Sequence, residues 1–477
     1  MVKTLLLELN DEVKGTAVDE NPMELISRSP EFFSAFSCVV ATDLPEPALL
    51  KLASLLWEKK IPLCVARAYG MTGMWRNVLP EVCIIESRPE YAKENYRIAS
   101  TFPQLEAFAA QYDLDTCKHP HLPLTEVPAG PGKYVDSQGR PVVPKAHSHT
   151  PAFVLLIKAL EKWRASHMGS MPKTSAEKDA LRELIDEMQV SETRDEENFV
   201  EAKQLARHAY APFEIPSEVR AILSDPKVDD DSTCVEPFWL IMRALKRFVA
   251  SEGAARDGVD GSIATLPLSG NLPDMHADTK SYIELQNIYR EQAARDCAAV
   301  TAHAERILEE LGQPAGLVSQ QDISLVCKNA ASLRIVRTTS LEEEYKGTNT
   351  ADWSWALDMP EELPHNLYVL MRAADRFRTN YGAFPGSQTP YDEADLVRYK
   401  EVLSTLCAEM GLATNVITED MAHEVVRCGG SELHSIASVM GGVGAMEVTK
   451  ILMKQFVPGN GTFIFNGVTG KNAMCNF

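Results

Sequence analysis

The chain has 477 residues, a length for two or three domains rather than one. Hydrophobic residues make up 45% and charged residues 24%, which excludes a wholly disordered or collagen-like chain. The formal net charge is −20, and no block of Lys and Arg offsets it, so the surface repels phosphate backbones and a nucleic-acid partner is not expected.

The start, MVKTLLLE, offers three leucines before Glu8, too few for a secretory apolar region. No uninterrupted apolar run approaches the ~18 residues that a membrane-spanning helix needs. Ten cysteines are scattered, with no two spaced as CxxC. Without an export segment they read as reduced thiols of a cytosolic or nuclear chain.

The first part alternates between strand and helix patterns. Residues 36–42 (FSCVVAT) form a short buried-strand pattern, followed by a turn at Asp43, Leu44 and Pro45. Residues 47–60 then carry Leu49, Leu50, Leu52, Leu55, Leu56 and Trp57 along a helical face. Residues 61–66 (IPLCVA) and 82–85 (VCII) read as further apolar strands, so the expected unit is βαβ in a parallel sheet. Residues 119–144 are rich in proline and glycine and read as a surface insertion. A small hairpin is expected there, with Tyr134-Val135 and Val142-Val143 on either side of DSQG.

From Thr150 the period becomes helical. Thr150 fits an N-cap and Pro151 the first turn, with Phe153, Leu156, Ile157, Leu160 and Trp163 on one face. Trp239, Met242, Leu245 and Phe248 line a second helix. After Asp278, apolar residues recur at three- and four-residue steps from Tyr282 through Leu285, Tyr289, Cys297, Val300 and Ile307 to Leu311, and Gly312 and Pro314 stop the run. Leu367, Leu370, Ala374 and Phe377 line another helix. Residues 435–456 read as a helix rich in small residues and 462–465 (TFIF) as a strand.

Several groups invite a chemical reading. Cys117, His119, His121, His147 and His149 are metal-ligand types, but their spacing is looser than that of structural zinc sites, so hydrogen-bonding roles are expected. Gly442-Val-Gly444 resembles the start of a dinucleotide loop, yet no strand precedes it and a third glycine is absent; close helix packing is the expected reason for it. Cys38, Cys64, Cys83, Cys297 and Cys327 lie in strand or helix patterns and read as buried structural thiols. The run Glu342-Glu343-Glu344 reads as a solvated helix face. Asp43, at the end of a strand, stands where an acidic side chain can hold Mg²⁺, a weak signal on its own.

Longer motifs carry a resemblance. Residues 273–290 (PDMHADTKSYIELQNIYR), 332–337 (SLRIVR) with 340–345 (SLEEEY), and 370–377 (LMRAADRF) closely resemble segments of the regulatory, non-catalytic subunit of the NEDD-type (Rub) ubiquitin-like modifier activating enzyme. So do 112–115 (YDLD), the entry at 147–151 (HSHTP), 237–239 (PFW) and the C-terminal stretch 435–467. The resemblance implies an α/β plus all-α architecture: an incomplete adenylation-type, Rossmann-like (ThiF/MoeB-like) domain interrupted by a large helical domain like an inactive catalytic-cysteine domain. The expected boundaries are 1–118 for the α/β part, 119–146 for the insertion, 147–428 for the helical domain and 429–477 for the return to the α/β part.

The resemblance further implies a heterodimer with a catalytic subunit that holds ATP, Mg²⁺, zinc and the thioester-forming cysteine, acting on a NEDD-type modifier. This chain would then bind no cofactor or metal and have no catalytic residue of its own. Its residues agree with that role: Asp43 is followed by Leu44 rather than the Asn of active halves, CxxC pairs are missing, and no cysteine is followed by Thr. The implied partner-binding residues are Asp274, Met275, Asp278, Tyr282, Leu285, Gln286 and Asn287. Full-length relatives start with a segment holding the first βαβ units that this chain does not match, so residues 36–42 are expected to form an unpaired sheet edge. The competing expectation is a helical interaction scaffold that lacks an activating role because that segment is missing.

Overall fold

The computed structural model describes residues 2–10, 12–91, 93–130, 133–190, 196–233, 235–255, 265–346, 365–388, 393–412 and 417–475. The chain forms two compact units, one of residues 1–84 with 335–477 and one of residues 85–334. These division points differ from the expected boundaries at 118, 146 and 428. Packing is the reason. The helix Pro103–Ala109 buries Leu105 and Phe108 among the helices that follow it, while the helices after residue 365 bury Tyr368, Phe377 and Tyr399 beside strand residues Tyr69, Met74 and Ile464.

The first unit is mixed α/β. Its strands are β1 (Val39–Thr42), β2 (Leu63–Tyr69), β3 (Thr72–Val78) and the short β4 (Val82–Ile84). Two small strands of the other unit come next, β5 (Val127–Gly130) and β6 (Lys133–Val135), then β7 (Arg334–Val336), β8 (Thr462–Asn466) and β9 (Asn472–Cys475). The main sheet runs β1-β2-β3-β8-β9, and β4 pairs with β7 apart from it. Strands β1 and β2 are parallel, Val39 opposite Leu63 and Thr42 opposite Ala66, joined by the crossover helix Glu46–Glu58. The remaining ladders are antiparallel, so the sheet is mixed rather than parallel as the apolar runs suggested. Strand β1 is an edge strand among the described residues.

Helices cover both faces of this sheet. Leu49, Leu52, Ala53 and Leu56 of Glu46–Glu58 pack with Ile26, Ala41, Leu63, Val65 and Val78. The helix His434–Met453 lays Ile436, Met440 and Ile451 against Cys64 and Trp75. A Cβ on Gly444 would lie 2.2 Å from the Trp75 ring, so glycine here permits the helix to approach the sheet. Close packing, expected of the Gly442–Gly444 pair, thus holds for Gly444, whereas a Cβ on Gly442 would meet nothing within 4 Å. The same helix passes, by length and composition alone, as apolar enough to span a membrane, with a mean hydropathy of 1.4 over 18 residues. Glu447 and Lys450 interrupt its apolar sequence, and it packs on the sheet along one face only, through Ile436, Met440, Gly444, Glu447 and Ile451, while Val439, Met446, Leu452 and Met453 are exposed.

Strand β3, which the residue pattern did not reveal, is buried on both faces. Trp75 Nε1 donates to Asn77 Oδ1 at 2.8 Å, and Asn77 Nδ2 donates to Glu447 Oε2 at 2.7 Å on one face. Arg76, on the other face, donates to Glu344 Oε2 at 2.6 Å. Glu344 is therefore a buried partner, not part of a solvated run; only Glu342 and Glu343 are exposed.

The second unit is helical. Ala152–Ser166 buries Phe153, Leu156, Leu160 and Trp163 with Ile98, Phe102, Phe108, Leu285 and Tyr289. Its N-terminal position is held by Pro151 without a side-chain cap; the Thr150 hydroxyl instead donates to the Ala146 carbonyl at 3.0 Å. Pro237–Ala255 packs along Thr279–Glu310. In the Pro/Gly-rich stretch, β6 pairs with β5, and the small hairpin around DSQG is also present: Val135 bridges Pro141, Asp136 N donates to the Arg140 carbonyl at 2.9 Å and Val142 N to the Tyr134 carbonyl at 3.0 Å.

Candidate functional site

The helix Thr279–Glu310 begins where its sequence says it should. Asp278 is the N-cap, and its Oδ1 accepts from Lys280 N at 3.0 Å and Ser281 N at 3.2 Å. From there Ser281, Leu285, Tyr289, Gln292 and Asp296 form one buried stripe. Three of these are polar, and each has its partner. Tyr112 Oη donates to Ser281 Oγ at 2.8 Å, Gln292 Nε2 donates to Asp296 Oδ1 at 2.7 Å, and Asp296 Oδ2 accepts from Arg97 at 2.6 Å and Leu268 N at 3.1 Å. The Tyr289 hydroxyl donates to the Tyr96 carbonyl at 2.6 Å. These bonds fix the rotation of the helix about its axis.

That rotation sorts the seven residues expected to face a partner. Asp274 and Asn287 are exposed; Met275, Tyr282 and Gln286 are half-buried. Leu285 is 0% exposed and belongs to the unit's core, so it supports the surface from beneath and does not present a side chain to a partner. Asp278 is occupied as a cap. Burial pushes its carboxyl up, but the Ser281 side chain and amide, with His119 nearby, hold it below the usual carboxylate range. Ile283 was not singled out, yet it is 50% exposed and lies well around the helix from the buried stripe. Counting 100° per residue from Ser281 would have found it.

His119 and His121 pack at this helix start. His119 Nδ1 accepts from His121 N and Leu122 N, both at 3.1 Å, so the neutral ring carries its proton on Nε2, 3.3 Å from Asp278 Oδ2. Burial, the largest influence, pushes the His119 imidazole below its ordinary range, and it does the same to His149. His121 Nε2 lies 2.9 Å from Glu284 Oε2, and His147 Nδ1 lies 2.8 Å from Glu196 Oε2 while its ring stacks on Phe199. Among the described residues no group of three or more His, Cys, Asp or Glu side chains is arranged to hold a metal ion.

In the other unit, Asp43 closes β1 with φ +54. Its Oδ1 accepts from Arg67 at 2.5 Å and from Arg378 at 2.7 Å. Arg67 reaches on to Asp375 Oδ1 at 2.8 Å, and both guanidiniums lie over Phe384. A carboxylate already shared by two guanidiniums does not fit a Mg²⁺ ligand. The nearby groove of ≈ 820 Å³ runs between β1 and the helix His434–Met453. Gly442 and Gly444 lie inside that helix rather than at its start, so their amides point along the helix and not at a ligand.

The cysteines divide by burial. Cys64 and Cys327 are buried as expected, whereas Cys38, Cys83 and Cys297 are only part-buried. Cys234 lies outside the described residues.

No family model matches the chain. It is 39% identical over 478 residues to the NEDD8-activating enzyme E1 regulatory subunit of Xenopus laevis, covering 98% of this chain and 82% of that protein. It is 37% identical over 475 residues to the Gallus gallus protein of the same name, and 35% identical over 468 residues to the Arabidopsis thaliana NEDD8-activating enzyme E1 regulatory subunit AXL, with the same shares covered. The likeness to animal and plant relatives thus takes in both compact units, the capped helix with its polar anchors and the Asp43 cluster included, and the chain belongs to the NEDD8-activating enzyme E1 regulatory subunit family.

Proposed function

We propose that this chain is the non-catalytic half of a heterodimer that activates a NEDD8-type modifier. The observation that carries this reading is the similarity over 98% of the chain to proteins named as regulatory subunits of that enzyme. The catalytic subunit would hold ATP, Mg²⁺ and zinc, adenylate the C-terminal glycine of the modifier, and take it onto its own cysteine as a thioester. The α/β unit would be the adenylation-type half, interrupted by the helical unit. Asp43, engaged by Arg67 and Arg378, supports a structural rather than a metal-binding role for the strand end in this chain.

The docking surface in this reading is the outer face of residues 274–287, with Asp274, Met275, Tyr282, Gln286 and Asn287 as its contacts and Ile283 added to them. Its support is a rigid base: the Asp278 cap, Leu285 in the core and Asp296 held by Arg97. The heterodimer would work in the cytosol or nucleus.

Co-purification with the catalytic subunit tests the pairing, and ATP–pyrophosphate exchange tests the division of labour. The expected outcome is a one-to-one complex, exchange by the complex, and none by this chain alone. A complex without exchange would favour a scaffold that docks but does not activate. Failure to form any complex would sink the proposal.

A further inference from the structure

Cys297 and Cys327 sit on different helices, Thr279–Glu310 and Gln320–Lys328, and their side chains face the same cavity. Cys297 is part-buried and Cys327 is buried. Both line a cavity of ≈ 330 Å³ floored by Leu268 and flanked by Ala298, Ser324 and Lys328. One water occupies about 30 Å³ of liquid, so there is room for a small hydroperoxide.

The Cys297 sulfur is set up as an acceptor. It accepts from Gln320 Nε2 at 3.7 Å, while the Thr301 hydroxyl donates to the Cys297 carbonyl at 2.9 Å, and Ser324 and Cys327 line the same cavity. The neighbouring Cys327 thiol is the largest influence, and with the Thr301 and Ser324 hydroxyls it outweighs burial and the Asp296 carboxylate to bring Cys297 down to about 7. Cys297 beside it, and burial, push Cys327 far up. One thiol is therefore the nucleophile and its neighbour stays protonated, the division of roles found where an attacking and a resolving cysteine work together.

We propose that Cys297 is a site of oxidation by small hydroperoxides and that Cys327 resolves it to a reversible Cys297–Cys327 disulfide. In the first step the Cys297 thiolate attacks the peroxide oxygen and the O–O bond breaks. The leaving alkoxide or hydroxide takes up a proton, and Cys297 becomes a sulfenic acid. In the second step the Cys327 sulfur attacks Cys297 Sγ, the S–O bond breaks, and the hydroxide leaves as water with the Cys327 proton. Overall the two thiols lose two electrons and two protons, and the peroxide is reduced to an alcohol or water plus a second water. The product ties the middle of the long helix to Gln320–Lys328. The pairing does not depend on the function proposed above.

The test uses the full chain, reduced, freed of reductant and treated with hydrogen peroxide at pH 7, then digested without reduction and mapped by mass spectrometry. A cross-linked Cys297–Cys327 peptide, reversed by dithiothreitol and formed before Cys38, Cys83 or Cys428 is oxidised, is the expected result. In Cys327→Ser, Cys297 should accumulate as a sulfenic acid trapped by dimedone. Ionisation at pH 7 offset by the lower basicity of the thiolate predicts a reaction roughly fivefold faster than for an unperturbed thiol. Ser324→Ala and Thr301→Val, checked for unchanged circular dichroism, should each slow it. Absence of the cross-link while Cys38, Cys83 or Cys428 oxidises would overturn the proposal. So would oxidation of Cys327 at an unchanged rate in Cys297→Ser.

Discussion

Arg76 on β3 and Glu344 on the short helix Leu341–Tyr345 form a buried ion pair, Nε to Oε2 at 2.6 Å, with each side chain at most 2% exposed. The pair is tied in further by Tyr368 Oη, which donates to Glu344 Oε1 at 2.5 Å, and by Arg76 Nη2, which donates to the Thr339 carbonyl at 3.0 Å. Desolvation makes such a pair expensive to break, because the surviving charge has no water to turn to. Glu344→Ala should destabilise the α/β unit by about 3–5 kcal/mol, read as a fall in its urea midpoint. Replacing both partners with methionine should recover most of that loss. A double variant no more stable than the single one would show that the pair itself, and not the orphaned charge, carries the energy.

Two glycines two residues apart in the helix His434–Met453 make opposite predictions. Gly444 faces Trp75 so closely that Gly444→Ala places a methyl 2.2 Å from the ring, and either the helix or the indole must move. Overpacking of this kind costs about 1–3 kcal/mol. Nothing lies within 4 Å of a Cβ on Gly442, so Gly442→Ala meets open space and gains helix propensity of about 1 kcal/mol. Thermal melts of the two variants should therefore move in opposite directions.

These cases also mark what the residues alone disclose. The helix Thr279–Glu310 was legible because its apolar residues repeat at three and four, an aspartate caps it, and Gly312 with Pro314 ends it. Strand β3 was not, because Arg76 and Asn77 look like surface residues until Glu344 and Glu447 are brought to them from far along the chain. Burial on both faces erases the alternation that marks a half-exposed strand. At the candidate site the segment was legible and its orientation was not. Leu285 and Ile283 are both apolar, and only the contacts of Ser281, Tyr289 and Asp296 decide which of them faces outward.

Asp375 gives the α/β unit a pH dependence. Burial is the largest influence on its carboxyl and raises it to about 6, with Arg67 opposing. Since the folded value lies above the unfolded one, near 4, the folded state holds the extra proton between these values. The contribution is complete below the unfolded value, and stability falls as pH rises from about 4 to 6. The full difference is on the order of 3 kcal/mol, at one pKa unit per 1.36 kcal/mol. Urea melts at pH 4, 5 and 6 should show this downward slope, and Asp375→Asn, which keeps an acceptor for Arg67, should flatten it. A slope unchanged in Asp375→Asn would assign the dependence to another group.

The partner surface separates affinity from stability. Asp274 and Asn287 are exposed, so Asp274→Lys and Asn287→Lys should leave the melting transition within about 0.5 kcal/mol of the parent. If these residues meet the catalytic subunit, the combined variant should weaken the complex by about tenfold or more, which is about 1.4 kcal/mol. Leu285→Ala should behave in the reverse way. It opens a cavity under the helix at a cost of about 2–5 kcal/mol, so its effect on binding should follow the fraction folded and disappear at temperatures where the variant is fully native. Titration of the catalytic subunit with each folded variant decides the matter. A surface variant that binds like the parent would move the interface off this helix face, and a fully folded Leu285→Ala that binds poorly would mean that the helix rotates to expose that residue.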